Sequence, residues 1–225
     1  MILLPLSDAS RRPATFPVIT LSLIIVNAIV FVFELMNGEA FVANWSMVPA
    51  DISSGHHLIT ILTSTFMHAS WSHIIGNMVF LWAFGPEIED AMGPWRYLIF
   101  YLLGGVAAVL GQVALDPHST VHSLGASGAI AAVMGGFLIT YPRDQIRTLL
   151  VVLVFVNITY VASALLIGAW FLLQLWSVGQ VTTAQAGGVA YAAHVSGFIF
   201  GAVVARLLED PERIARRYAT NQPPG

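Results

Sequence analysis

The chain has 225 residues, of which 57% are hydrophobic and 9% charged, with a mean hydropathy of +0.78. A soluble domain carries about 25% charged residues, so a water-soluble globule is excluded and a polytopic membrane protein is indicated. The net charge of -3, with no basic cluster and no stacked basic-aromatic stretch, gives no footing for a nucleic-acid partner. The absence of cysteine excludes disulfides and thiolate chemistry.

Residues 1–16 read as a polar, proline-bearing cytoplasmic tail. No small-residue cleavage site follows the first apolar run, so that run is expected to be retained as an anchor. Six spans can be drawn, at roughly 17–36, 71–86, 95–115, 123–141, 155–176 and 187–208, against the ~20 helical residues a bilayer core requires. The fifth is ambiguous. Ile146 to Trp176 is predominantly apolar and exceeds one crossing, so its first part is expected to lie along the interface or to tilt. Between the first two spans, Asn37 to Ser70 carries only Glu39 and Asp51 as charges, yet holds Phe41, Trp45, Phe66 and the run Leu58 to Leu62. A structured element lying partly in the outer interface is expected there. Residues 209–225 read as a cytoplasmic C-terminal tail, of which Pro211 to Gly225 is polar, ends in Pro-Pro-Gly and is expected to be mobile. The expected fold is therefore all-α, with one domain over 17–208 and a long interfacial first loop.

Arginine sets the orientation, since there is no lysine. Arg11, Arg12, Arg96, Arg143, Arg147, Arg206, Arg213, Arg216 and Arg217 all fall on one side of a six-span arrangement. Basic residues concentrate on the cytoplasmic side, which places both termini in the cytoplasm and predicts a multi-pass protein of the cell (plasma or inner) membrane.

Polar residues inside the spans are few. His73 and Asn77, four apart, stack on one side of span two. Ser127 is expected about one turn into span four, and His194 about two turns into span six. All four then share the outer part of the membrane on three helices running the same way. Small residues recur every four positions at Gly128, Ala132 and Gly136 in span four, and at Ala193, Gly197 and Gly201 in span six. Such stripes let helix backbones approach closely in lipid. If the two stripes face each other, Ser127 precedes its stripe by one residue and His194 follows its own by one. Those opposite offsets, each about 100° of helix, turn both side chains to the same side of the seam.

A serine in a membrane helix more often bonds a carbonyl one turn back, and Asn77 alone is ordinary helix–helix glue. A histidine within a span is costly, and function is its default reading. The remaining histidines, His56, His57, His68, His118 and His122, are expected to be interfacial and solvated; a metal site on His118 and His122 lacks further ligands. Zinc hydrolysis of the His-Glu-x-x-His kind has no matching motif. Asp8, Asp51, Asp90, Asp116, Asp144 and Asp210 all lie in connections or tails, which removes a buried aspartyl pair. What is left is a serine nucleophile with a histidine base, needing no metal or cofactor. A transporter or proton relay through His73, Asn77 and His194 is the competing class. It would need polar groups deeper in the spans, and few are there.

These residues resemble a known family, the rhomboid intramembrane serine proteases, over essentially Val18 to Leu208. Gly125-Ala126-Ser127-Gly128 is similar to the family's Gly-x-Ser-Gly motif. Ala193-His194 with Gly197 and Gly201 is similar to its Ala-His-x-x-Gly-x-x-x-Gly motif, and His73 to Asn77 to its His-x-x-x-Asn oxyanion motif. The resemblance implies a six-helix core, a cavity open to the outside, a half-submerged first loop, and cleavage of single-span membrane proteins near the outer face. It also implies oxyanion roles for His73 and Asn77, and makes Trp170 and Phe171 candidates for a lateral gate on span five. Two family features are missing: the first loop holds no arginine, and Ala131 stands where some members have a tyrosine stacked on the histidine.

Overall fold

The structure is a computed structural model and describes residues 2–153, 155–181 and 190–220. It is mostly helical. Strand β1 (Ile2–Asp8) precedes α1 (Val18–Trp45), and the first loop folds into α2 (Pro49–Ser53), α3 (Thr60–Thr63) and a 3-10 turn (Ser64–Phe66). Then come α4 (Trp71–Met92), α5 (Pro94–Leu115), α6 (Ser127–Thr140), strands β2 (Gln145–Val152) and β3 (Phe155–Ala162), α7 (Ser163–Val181), α8 (Tyr191–Leu208) and α9 (Pro211–Thr220). Helices α1, α4, α5, α6, α7 and α8 fall on the six expected spans; positions 187–189 of the sixth lie outside the described residues. By length and apolarity alone, α1, α5 and α8 are sufficient to cross a membrane, while α6 and the Ser163–Val178 stretch of α7 are apolar but shorter.

Helix α1 outruns its expected end. It breaks at Gly38, whose φ of 65° and ψ of -154° suit glycine, and a second helical segment continues to Trp45. Its N-terminus has no side-chain cap of its own. The end of α4 supplies one. The Glu89 carboxylate accepts from the backbone N–H groups of Ile19 and Thr20 at 2.8 and 2.7 Å and from the Thr20 hydroxyl at 2.8 Å. Asp90 likewise accepts from the Ala14 and Thr15 N–H groups at 3.1 and 3.2 Å. First-turn N–H groups have no partner within their own helix, and a carboxylate there also complements the helix dipole.

Helix α6 is the centre of the bundle. Gly128 through Phe137 are all buried, and α4, α5, α7 and α8 surround them. Close approach depends on the small residues. A Cβ on Gly197 would strike the Gly128 carbonyl, and one on Gly201 the Ala132 carbonyl. One on Gly136 would lie 3.3 Å from the Ala205 methyl. The aromatic residues Phe84, Phe100, Phe137, Tyr97, Tyr101 and Tyr141 fill the rest of the core with no exposure above 2%.

The fold departs from all-α in one place. β1, β2 and β3 form an antiparallel sheet in that order, with Leu4 opposite Leu149 and Thr148 opposite Thr159. The apolar stretch starting at Ile146 is therefore a hairpin, and the fifth long helix begins at Ser163 instead of 155. Alternation cannot distinguish a strand from a helix in an unbroken apolar run, whereas β-branched content can: Phe155–Ala162 holds two valines, an isoleucine and a threonine. The N-terminal tail supplies the third strand. The C-terminal tail, expected to be mobile, instead forms α9 over its described part, because the Asp210 N–H donates to the Ala91 carbonyl at 2.9 Å and the Asp210 carboxylate faces Arg96 and Arg213. Positions 221–225 lie outside the described residues. Arg11 pairs with Asp144, and Arg206 with Glu209. These ion pairs, the sheet and α9 lie at the end of the bundle away from Ser127.

Candidate functional site

Ser127 is the first residue of α6, not one turn inside it. The backbone just before it is held out of the helix by three contacts. Ser123 forms a two-way bridge to Met47, and the Gly125 N–H donates to the Ser64 carbonyl at 2.9 Å. Gly125 itself has φ of 136°, a conformation that side chains rarely adopt. Starting the helix at Ser127 leaves its own N–H without a carbonyl one turn behind it, beside the hydroxyl.

His194 lies in the first turn of α8, which starts at Tyr191. Its Nε2 is 2.7 Å from the Ser127 Oγ. On the other side of the ring, Nδ1 is 2.7 Å from the Oε1 of Gln174 on α7. An amide oxygen only accepts. Nδ1 therefore carries the proton, and the Nε2 lone pair is left to accept from the serine hydroxyl. Two rings flank the imidazole: Trp170 at a centroid distance of 5.9 Å and 36°, and Tyr191 at 6.4 Å, nearly perpendicular.

His73 sits in the first turn of α4, where the Ser70 hydroxyl caps its N–H at 3.2 Å. Its Nδ1 accepts the Ala69 N–H at 3.4 Å, so Nε2 is the protonated nitrogen. That edge packs over Gly125: a Cβ there would lie 2.9 Å from Nε2 and 3.6 Å from the Ser127 Oγ. Any side chain at 125 would push the imidazole away from the serine. One turn on, Asn77 is 8% exposed, and its Nδ2 donor is buried without a partner. Such an unspent donor costs about 1–3 kcal/mol unless something accepts from it.

His68 is not solvated, contrary to the expectation for it. It is 2% exposed, and its ring packs edge-on to His73 at 5.1 Å. Burial, with His73 nearby, pushes it down to about 3, so it is neutral at ordinary pH. The Glu34 carboxylate holds this segment by accepting the His68 N–H with both oxygens, at 3.0 and 3.1 Å. The His122 Nδ1 meets the Ser46 hydroxyl at 2.6 Å. Among the described residues no group of three His, Cys, Asp or Glu side chains could hold a metal ion.

A cleft of about 350 Å³, mouth included, reaches Ser127 between Ser64, Gly125, Gly128, Ala190 and Ala193. Gln174 is the residue that motif reading overlooks. The available signal is that it is the single polar side chain between Ser163 and Ser177. Trp170 and Phe171 do not face outward: Trp170 lies against His194, and Phe171 stacks on Phe198 at 4.1 Å and 18°.

A serine hydroxyl 2.7 Å from an imidazole nitrogen, with an amide on the far side of the ring, has the arrangement of a nucleophile and a base, and comparison with known proteins narrows the class. The Rhomboid domain model matches residues 55–210. The chain belongs to the rhomboid family. It is 32% identical over 142 residues to RHOMBOID-like protein 12, mitochondrial, of Arabidopsis thaliana, covering 56% of this chain and 42% of that protein. It is 25% identical over 187 residues to Rhomboid protease GlpG of Yersinia pestis (strain Pestoides F), covering 83% of this chain and 61% of that protein. With Rhomboid-like protein 11, chloroplastic, of Arabidopsis thaliana, it shares 30% identity over 156 residues, covering 65% and 51%. The chain thus spans less than two thirds of the length of each of these relatives.

Proposed function

We propose that this chain is an intramembrane serine endopeptidase that cleaves transmembrane segments of other membrane proteins, with Ser127 as nucleophile and His194 as general base and acid. The observation that carries the reading is the 2.7 Å contact between the Ser127 Oγ and the His194 Nε2, with the ring oriented to accept. In the first step Oγ bonds to the scissile carbonyl carbon while its proton passes to Nε2. The C–N bond then breaks, and Nε2 returns that proton to the leaving amine. A water then bonds to the acyl carbon while its proton passes to Nε2; the C–Oγ bond breaks and Nε2 returns that proton to Oγ, which restores the serine and frees the acid product. The developing oxyanion is met by donors with free protons: the Asn77 amide, the His73 Nε2–H and the Ser127 N–H. These act in a water-poor site, where each is worth more than in water.

The substrate presents an extended backbone, since a helical carbonyl is already hydrogen-bonded; helix-weakening residues near the cut favour cleavage. The six long helices each cross the bilayer, the first loop lies half-submerged at the outer face, and both termini face the cytoplasm. The gathering of Arg11, Arg96, Arg206 and Arg213 at the end away from Ser127 supports this sidedness. The test is incubation of the purified protein with a panel of single-span substrates, locating each cut by mass spectrometry. Cleavage should vanish in Ser127→Ala, and a fluorophosphonate should label the wild type at Ser127 only. Substantial turnover by Ser127→Ala would overturn the reading.

A further inference from the structure

We infer that Gln174 is a positioning residue, a neutral third member that sets the tautomer and ring angle of His194; the inference rests on the protease reading above. Helix α7 turns Ile167, Trp170, Phe171 and Gln174 inward, the i, i+3, i+4, i+7 pattern of a packing face. Ile167 is fully buried, and Trp170 and Phe171 pack on the rings of His194 and Phe198. The outward positions are Leu172, Leu173 and Trp176, each more than 60% exposed. The fourth inward position would ordinarily be aliphatic. An amide there must find a partner or lose several kcal/mol in hydrocarbon, and its partner is the His194 Nδ1 at 2.7 Å.

This contact answers a chemical need. A neutral imidazole can place its proton on either nitrogen, and only the Nδ1–H form can deprotonate Ser127 through Nε2. In a Ser-His-acid triad a carboxylate makes that choice and also offsets the imidazolium charge. Here an amide oxygen makes the choice without the charge, and the Trp170 ring bounds the imidazole face where Ala131 offers no aromatic group.

The test uses full-length protein with ¹⁵N-labelled histidine, with the His194 signals identified by their absence in His194→Ala. In the wild type the nitrogen shifts should report the Nδ1–H form. In Gln174→Leu that preference should disappear, with kcat about 10- to 100-fold lower, KM unchanged and melting temperature unchanged; the loss is smaller than that seen on disabling an acidic third member. Gln174→Glu, which keeps an acceptor oxygen, should restore the Nδ1–H form and most of kcat. An unchanged tautomer in Gln174→Leu would overturn the inference, as would a loss confined to KM or to melting temperature. Should the wild type cleave none of the substrates, the protease reading falls by itself, and the tautomer measurement still decides the role of Gln174.

Discussion

Gly197 on α8 rests directly on the backbone carbonyl of Gly128 on α6, with no room for a methyl group between them. Ser127 and His194 are chain neighbours of this seam, so the separation of two backbones sets the distance between hydroxyl and imidazole. Gly197→Ala and Gly201→Ala each drive a methyl group into a backbone carbonyl of α6, where overpacking typically costs about 1–3 kcal/mol. Both variants should melt earlier and lose fluorophosphonate labelling at Ser127. Gly168→Ala, on α7 with nothing within 4 Å of the added carbon, should behave as wild type. Equal melting temperatures for Gly168→Ala and Gly201→Ala would show that the seam does not matter.

Asn77 tests the oxyanion role. Its donor is buried and unpaired in the resting protein, so removing it breaks no existing bond. Asn77→Ala should lower kcat by about 10²–10³ with little change in KM, and should not destabilise the fold. A variant that loses stability in proportion to activity would assign Asn77 to packing instead.

Asp8 gives a pH dependence with a definite sign. At the end of β1, desolvation and then the neighbouring Asp144 raise its carboxyl from 3.8 to about 7. Between those values the folded chain binds more protons than the unfolded one. The contribution of Asp8 to stability therefore falls as pH rises from about 4 to about 7, and is level above that. Asp8→Asn keeps an oxygen for the Ser10 N–H, which Asp8 now accepts at 2.7 Å. The variant should melt higher than wild type at pH 7.5 and equally at pH 4. The same difference at both pH values would contradict the assignment.

Sidedness can be read with thiols, because the chain has no cysteine of its own. Ser54→Cys in the exposed first loop should react with an impermeant maleimide on intact cells. Glu212→Cys on α9 should react only after permeabilisation. The reverse pattern would invert the proposed topology.

How far the molecule is legible in its sequence differs by feature. The approach of Ser127 to His194 follows from two four-residue stripes and their one-residue offsets only once the stripes face each other, a register that the sequence leaves open and the contact of Gly197 with the Gly128 carbonyl supplies. The start of α6 is not legible, since it depends on Gly125 being tied to Ser64 and Ser123 to Met47, contacts between segments about sixty to eighty residues apart. The hairpin over Gln145–Ala162 is hidden for another reason: a mostly apolar stretch reads alike as a membrane helix or as strands when periodicity is the guide. His68 is illegible in a third way. Placed in a connection between two spans it looks solvated, and only the fold of the first loop, with Glu34 holding its backbone, encloses it.

On the proposed function, one contact would join substrate admission to chemistry. The oxygen that steadies His194 rides on α7, a helix with much of its surface turned towards lipid. A sideways excursion of about 1 Å would stretch that bond past useful length. A peptide slipping between α7 and its neighbours would thus meet an unclamped imidazole, and hydrolysis would wait until the wall had shut behind it.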